Sequence, residues 1–145
     1  MFKHLLIPTD GSALSDLALK KGIALARSLG ARVTVLASSR PFHVVSTEPL
    51  MITDTREEYE KGVEVKTRAS LQFARDTARA SSVRCDTTHV VSDHPCQAII
   101  ATAQARECDV IFMASHGRKG MAASLLGSEA QKVLTHCKLP VVVWR

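Results

Sequence analysis

Short runs of apolar residues alternate with segments of helical periodicity along the whole chain. We predict five strands from these runs, because they are rich in aliphatic and β-branched side chains. The predicted strands are Leu5–Pro8, Val33–Ala37, Val83–Val91, Val110–Met113 and Val141–Trp144. Strands that alternate with helices predict an α/β fold with a parallel, doubly wound sheet between two helix layers. At 145 residues we expect a three-layer α/β/α architecture in a single domain, residues 1–145.

The first predicted helix has a clear beginning and end. It extends from Ala13 to Leu29, with Ser12 as a candidate N-cap and Gly30 at the position that stops a helix. Helical spacing predicts a shared apolar face, made of Leu14, Leu17, Ala18, Leu25 and Leu29. We therefore expect these side chains to pack against the sheet.

Three further helices and one long loop are expected. The predicted helices are Glu57–Ala80, a helix with Pro95 in its first turn, and Ser128–His136. The long helix is polar, with a thin apolar face made of Tyr59, Val63, Phe73, Ala74 and Thr77. Residues 38–55 contain two prolines and no clear period, so they are predicted to form a loop.

The composition disfavours several classes of protein. No apolar run approaches the roughly 20 residues of a membrane span, and the N-terminal residues do not resemble a signal peptide. The net charge of +5 suits an anionic ligand. Scattered basic residues, with one Tyr and one Trp, disfavour specific nucleic-acid binding. The four cysteines lack metal-binding spacing, so we expect buried free thiols in a reducing cytoplasm: Cys85, Cys96, Cys108 and Cys137.

Two segments are expected to form a ligand site. Ligands of doubly wound sheets bind at the carboxyl ends of strands, where the strand order reverses. This rule selects Thr9–Asp10–Gly11 after the first strand and Ala114–Ser115–His116–Gly117 after the fourth. His116 lies beside this site and is interpreted as peripheral, and His94 has no spacing that supports a metal site. We expect neither a catalytic residue nor a protein-held metal.

Glycines after the fourth strand point to an anion site. Gly117 and Gly120 leave backbone N–H groups accessible, and a helix that begins at Ser128 adds free N–H groups and a positive dipole end. Arg118 and Lys119 would add positive charge. An alternative interpretation needs no ligand, because Ser128 and Gln131 have the spacing of a capping box. The Gly-x-Gly-x-x-Gly and Walker patterns are absent, which disfavours a dinucleotide site and P-loop hydrolysis.

At these residues the sequence resembles the universal stress protein family. The family motif Gly-x-x-Gly-x9-Gly-[Ser/Thr] matches Gly117 followed by nine residues and Gly127–Ser128, with Ala114 at its first glycine. The segments Leu6–Ser12 and Leu139–Val143 resemble the family's first and last strands. The resemblance covers the whole chain, and it implies a Rossmann-like, adenine nucleotide alpha hydrolase-like fold.

The resemblance also implies a set of nucleotide-binding residues and a function. Asp10 would accept hydrogen bonds from the nucleoside, and backbone amides would surround the phosphates. The implied set is Pro8, Thr9, Asp10, Ala37, Met113, Ala114, Gly117, Arg118, Gly127, Ser128 and Glu129. The implied function is a cytoplasmic stress-response regulator that binds ATP or AMP, with or without Mg²⁺, and pairs as a homodimer through Val141–Trp144. The alternatives are a weak ATPase and a relative that binds no nucleotide and acts through protein contacts.

Overall fold

The protein is an α/β structure with one parallel sheet. A computed structural model describes residues 1–43, 55–116 and 125–145. The strands are β1 (His4–Thr9), β2 (Arg32–Ser39), β3 (Cys85–Val91), β4 (Val110–Ala114) and β5 (Val141–Trp144). The helices are α1 (Ala13–Leu29), α2 (Arg56–Ala80), α3 (Pro95–Ala105) and α4 (Ser128–His136). The strand order is β3-β2-β1-β4-β5, and all four pairings are parallel, which confirms the predicted fold class.

Two apolar cores lie on opposite faces of the sheet. The core formed with α1 and α2 includes Ile7, Ile23 and Phe112, whereas the core formed with α3 and α4 includes Leu6 and Ile111. Successive strand residues therefore point to different cores, as the two-residue period of a strand requires. All five residues of β4 are buried. Helices therefore cover both faces of the sheet, which gives three layers. This explains the continuous apolar run of β4, because a strand covered on both faces is apolar along its whole length.

The predicted buried face of α1 was partly wrong. Leu17 and Leu29 are 43% and 37% exposed. The helix instead buries a stripe of mostly small residues: Ser15, Ala18, Leu19, Gly22, Ile23 and Ala26. A Cβ on Gly22 would lie 2.6 Å from Cδ1 of Ile7, so α1 packs too close to the sheet for larger side chains. The predicted N-cap is confirmed, since Ser12 accepts a hydrogen bond from Ser15 N.

The second and third strands differ from their predicted bounds. β2 extends to Ser39, so the first two residues of the predicted loop belong to the sheet, while residues 44–54 lie outside the described part. β3 begins at Cys85 rather than at Val83. Val83 is nevertheless buried, which explains why it resembled a strand residue. In α2 the fully buried residues are Leu71, Ala74 and Ala78, all in its C-terminal half.

The prediction that the four cysteines are buried is only partly confirmed. All four cysteines are free, but only Cys96 and Cys108 are buried, and Cys85 and Cys137 are partly exposed. Burial raises the pKa of the Cys85 and Cys108 thiols to about 11, so both thiols stay protonated at neutral pH. Among the described residues, no helix is long and apolar enough to cross a membrane.

Candidate functional site

The strand order reverses between β1 and β4, and the hydrogen-bond ladder there is short. The registered pairs are Leu5–Val110 and Leu6–Ile111, whereas β1 pairs with β2 through to Thr9. Pro8 explains the difference. The backbone groups of successive residues in β1 face opposite neighbours. The carbonyl of His4 accepts from Asp109 N, next to β4, whereas the carbonyl of Lys3 accepts from Arg32 N, on the β2 side. Pro8 shares the orientation of His4 and has no N–H to donate to β4.

The turn after β1 is held by its own side chains. Asp10 Oδ1 accepts from Ser12 N at 2.9 Å, and Thr9 Oγ1 accepts from Gly11 N at 3.2 Å. Gly11 has a φ of 75°, which favours glycine. Thr9 Oγ1 also lies 3.0 Å from Oγ of the buried Ser15. Asp10 thus bonds to the backbone of its own turn, and this network holds its carboxylate at the carboxyl end of β1.

Two carboxyl groups, those of Asp10 and Asp16, lie near each other at the β1 end. Burial, and then the charge of Asp10, raise the pKa of the Asp16 carboxyl in the first turn of α1. Two neighbouring carboxyls favour hydrogen-bond donors over phosphate oxygens at this end of the site. Hydroxyl or amine groups of a ligand would therefore suit the β1 side.

The connection from β4 to α4 is tightly packed at both ends. Ser115 N donates to Trp144 O at 2.7 Å, which ties the end of β4 to β5, and Gly127 N donates to Ser115 O at 2.7 Å. A Cβ on Gly127 would lie 2.7 Å from Ser115 O and 3.3 Å from the Cα of His116. Glycine at this position is thus required by the chain's own packing, whether or not a ligand is bound.

The alanine at the first motif glycine is accommodated without strain. Ala114 is the last residue of β4, is 9% exposed and does not have a positive φ. The cost of a left-handed alanine, about 1–2 kcal/mol, therefore does not arise. Met113 beside it is buried in the core that includes α3 and α4. Both residues lie at the carboxyl end of β4, where the motif places the floor of the site.

The first turn of α4 differs from the capping-box alternative. α4 begins at Ser128 as predicted, but its N-cap is Gly127, which has no capping side chain. Gln131 instead donates through Nε2 to the carbonyl of Leu126 at 2.8 Å. The capping-box interpretation is wrong because Ser128 lies one residue inside the helix. The first hydrogen bond within α4 is donated by Gln131 N, to the carbonyl of Gly127. The N–H groups that precede Gln131 in this first turn therefore have no acceptor within the helix.

Glu129 contacts a neighbouring helix. Its Oε2 accepts from Cys96 N in the first turn of α3 at 3.0 Å, and its Oε1 accepts from Lys132 at 3.2 Å. The carboxylate therefore caps a helix that lacks its own side-chain cap at His94. The negative charge of Glu129 thus lies next to the N-terminus of α3, where the positive end of the helix dipole stabilises it.

Buried polar atoms without a hydrogen-bond partner collect at the carboxyl edge of the sheet. Within the described residues there are four such side-chain atoms, and three lie at this edge: Ser38 Oγ, His116 Nε2 and Trp144 Nε1. Ser38 follows Ala37, which pairs with Thr9, so it lies level with Asp10 on the next strand. The other nitrogen of His116, Nδ1, is 2.9 Å from Ser115 Oγ. Buried polar atoms without a partner are uncommon in folded proteins, so they mark this edge as a candidate ligand site.

The predicted site residues thus fall into three groups. Those that the structure brings to the reversal of strand order are Pro8, Thr9, Asp10, Ala37, Met113, Ala114, Gly127 and Ser128. Glu129 is close in sequence, but its carboxylate points to α3. Gly117 and Arg118, like Lys119 and Gly120, lie outside the described residues. Ser38 is absent from the predicted set of site residues because the sequence places it in a loop. The pair of serines directly after an apolar strand could have indicated polar groups at the edge of the sheet.

Comparison with known sequences identifies the family. The model of the universal stress protein family matches residues 1–145. The chain belongs to the universal stress protein family. Universal stress protein MJ0531 of Methanocaldococcus jannaschii is 27% identical over 146 residues, covering 99% of this chain and 82% of the relative. Universal stress protein YxiE of Bacillus subtilis is 28% identical over 155 residues and is covered in full, as is this chain.

Solved structures of universal stress proteins have the same fold. A universal stress protein in complex with cAMP has a TM-score of 0.73 at 23% identity, covering 99% of this chain and 97% of that one. An Archaeoglobus fulgidus universal stress protein in complex with dAMP has a TM-score of 0.69 at 17% identity, covering 100% and 98%. The protein MJ0577 has a TM-score of 0.79 at 24% identity, covering 99% and 95%. The predicted family and fold class are therefore confirmed.

Proposed function

We propose that this universal stress protein is a regulatory protein that binds an adenine nucleotide, ATP or AMP, between the carboxyl ends of β1 and β4. The observation that carries the proposal is the set of buried polar atoms at this edge that have no hydrogen-bond partner among the described residues, including Ser38 Oγ and His116 Nε2. A buried polar group without a partner costs about 1–3 kcal/mol. A nucleotide offers both donors and acceptors, and two relatives of the same fold were crystallised with cAMP and dAMP.

The charges along the site support one orientation of the nucleotide. Asp10 and Asp16 place carboxyls at the β1 end, which suits the hydroxyls of a ribose. The first turn of α4 at Ser128 presents amides and a positive dipole end, which suits phosphates. The carboxylate of Glu129 is held at α3 and does not oppose them. Gly117 and Arg118 complete the phosphate side in this proposal, and Mg²⁺ would enter with the phosphates of ATP.

Release and rebinding of nucleotide test the proposal. The protein is purified without added nucleotide, denatured, and any released nucleotide is identified by chromatography. The stripped protein is then titrated calorimetrically with ATP, AMP and GTP, with and without Mg²⁺. We expect released adenine nucleotide or saturable binding in the micromolar range, with GTP weaker. If no nucleotide is released and no heat of binding is measured, nucleotide binding is refuted. That result would favour the alternative, a family member that acts through protein contacts.

Asp10→Asn sharpens this experiment. Asparagine keeps an oxygen for the hydrogen bond from Ser12 N, so the turn is preserved, but the charge and one acceptor oxygen are lost. We expect about tenfold weaker binding, which corresponds to roughly 1.4 kcal/mol. Asp76→Asn, an exposed change on α2, is the matched control and leaves binding unchanged. Equal nucleotide affinity of the two variants would show that Asp10 does not contact the nucleotide.

The proposal includes a homodimer formed through β5. This strand is at the end of the sheet, and its outer edge has no partner strand among the described residues. Trp144 O accepts from Ser115 N and Pro140 O accepts from Ile111 N, so the backbone groups of Val141 and Val143 face outward. An apolar edge strand with free N–H and C=O groups is suited to pairing with a second copy.

The oligomeric state can be tested without disturbing the β4 ladder. Val143→Pro removes one outward N–H, because this residue does not donate to β4. We expect light scattering to give a dimer for the wild-type protein at micromolar concentrations and a monomer for the variant. A wild-type monomer would refute the pairing. A variant that stays dimeric would place the interface elsewhere on the protein.

The regulatory role and the cellular location are also part of the proposal. The four free cysteines suit a reducing compartment, so we place the protein in the cytoplasm. In the described residues no group of three or more His, Cys, Asp or Glu side chains could hold a metal ion. We propose that nucleotide binding changes the protein's state or contacts during stress. A deletion strain without a stress phenotype would contradict this role.

A further inference from the structure

We propose that this protein has a second ligand site, separate from the edge between β1 and β4, that binds a small organic anion with an apolar or aromatic body. The site is a cavity of about 470 Å³ between α2 and the carboxyl-terminal parts of β2 and β3. We name it the α2 groove and define it by Arg40, Phe42, Tyr59, Val63, Arg75 and His89. Its volume lies in the range of small-molecule sites, about 300–1,000 Å³.

The α2 groove exists because α2 is longer than the strands it covers. Its 25 residues extend about 37 Å at 1.5 Å per residue, whereas the 7 residues of β3 extend about 23 Å. The buried residues of α2, from Leu71 to Ala78, all lie in its C-terminal half. The N-terminal half therefore continues past the sheet, and the groove extends from beneath it to Arg75 in the C-terminal half.

The wall near the start of α2 is apolar and ordered by specific contacts. The rings of Phe42 and Tyr59 have centroids 5.5 Å apart at an angle of 52°. Tyr59 donates its hydroxyl hydrogen to the carbonyl of Arg40 at 2.9 Å, which holds the segment after β2 against the helix. Val63 continues the apolar surface. This wall can accept the body of a flat ligand without rearrangement.

The charge of the groove is unbalanced toward positive. Its two glutamates are each paired along α2, Glu60 with Arg56 at 2.9 Å and Glu64 with Arg68 at 2.8 Å. Two further arginines line the groove, Arg40 and Arg75. Within residues 1–43, 55–116 and 125–145, neither of these two forms an ion pair.

Arg75 is the residue that most favours an anion. It is partly buried, and its guanidinium donates to Thr87 Oγ1 at 2.7 Å and to Gln72 Oε1 at 3.4 Å, both uncharged partners. Arginines that lose solvent are usually paired with a carboxylate or phosphate. The two contacts leave guanidinium N–H groups available for a ligand. On the floor, His89 Nε2 lies 2.6 Å from Ser39 Oγ, which adds polar groups near the carboxyl ends of β2 and β3.

Two fluorescent probes that differ mainly in charge test the proposal. 8-Anilinonaphthalene-1-sulfonate carries a sulfonate on an aromatic body, and N-phenyl-1-naphthylamine is its uncharged counterpart. Each is titrated into the full-length protein with fluorescence detection. We expect the sulfonate to bind at least tenfold more tightly than the neutral probe, because only the sulfonate can pair with Arg75. Equal affinity for the two probes, or no binding of the sulfonate, would overturn the proposal.

Variants locate the bound sulfonate. Arg75→Gln removes the charge but keeps a donor for Thr87, and we expect about tenfold weaker binding of the sulfonate probe. Arg79→Gln, one turn later on the same helix and 78% exposed, is the matched control and should change affinity less than twofold. Arg40→Gln is a second variant, because the Arg40 side chain makes no hydrogen bond within the described residues and its loss should not affect folding. Unchanged affinity in both Arg75→Gln and Arg40→Gln would overturn the assignment to the α2 groove.

Discussion

Ser38→Ala is predicted to change ligand-free stability and ligand affinity in opposite directions. The Ser38 hydroxyl is buried, has no hydrogen-bond partner among the described residues and lies level with Asp10 at the carboxyl edge of the sheet. A buried unsatisfied group costs about 1–3 kcal/mol, and alanine removes this cost from the ligand-free protein. If the hydroxyl bonds to the nucleotide, the same change removes about 0.5–1.5 kcal/mol from binding.

These magnitudes are measurable. For a chain of 145 residues, about 1 kcal/mol corresponds to roughly 3–4 °C in Tm. We therefore expect the melting temperature of the stripped variant to rise by a few degrees. Calorimetric titration with ATP should give a Kd about two- to tenfold higher than that of the wild-type protein. Differential scanning calorimetry without ligand and isothermal titration with ATP are the two assays.

Ser39→Ala is the matched control for this prediction. Ser39 is the next residue of β2, but its hydroxyl already has a partner, His89 Nε2 at 2.6 Å, and it lies in the α2 groove. Its removal should lower stability slightly and leave ATP affinity unchanged. A lower melting temperature for stripped Ser38→Ala would show that the hydroxyl has a structural partner. Unchanged ATP affinity would show that it does not contact the nucleotide.

Three further predictions follow from contacts around the site. Gly127→Ala should destabilise the protein by about 1–3 kcal/mol in urea unfolding, because its Cβ would lie 2.7 Å from Ser115 O. Glu129→Gln should lower the Tm by about 2–4 °C, because the charged cap on Cys96 N is lost, at about 0.5–1 kcal/mol. Burial, and then the charge of Arg32, lower the pKa of His4 in the folded protein. Below the usual pKa of 6.5, the unfolded state therefore binds more protons at this residue than the folded state does. Stability measured by urea unfolding should therefore fall as pH drops below about 6.5, and His4→Gln should reduce this dependence.

Each of these predictions has a matched control in the chain. Gly62→Ala lies in α2 with nothing within 4 Å of the new Cβ, so it should leave stability unchanged or raise it. Glu64→Gln changes only an exposed ion pair on α2, and His136→Gln replaces an exposed histidine. Equal effects of a variant and its control would contradict the corresponding prediction. The Gly127 result also means that loss of binding in a Gly127 variant is not by itself a sign of ligand contact.

Local sequence patterns determined the class of the fold. Strand β5 and helices α1 and α4 have the predicted bounds, because caps, glycine stops and apolar runs act over a few neighbouring residues. The same patterns placed Asp10 after β1 and Gly127–Ser128 at the start of α4. The rule of right-handed crossovers restricted the winding to a few topologies, and the observed order β3-β2-β1-β4-β5 reverses between β1 and β4, the two strands expected to form the site.

Which residues meet across these elements depends on how the helices pack against the sheet. Periodicity assigned Leu17 and Leu29 to the core, but the close approach of α1 to the sheet selected small residues instead. Among the described residues, the Ser38 hydroxyl has no hydrogen-bond partner and Arg75 has no ion pair. Both facts depend on neighbours that come from distant parts of the chain, such as Thr87 beside Arg75. Local patterns in the sequence thus predicted which elements form and their succession along the chain. Packing between elements decided which polar groups lack a partner, because that depends on contacts that no local pattern encodes.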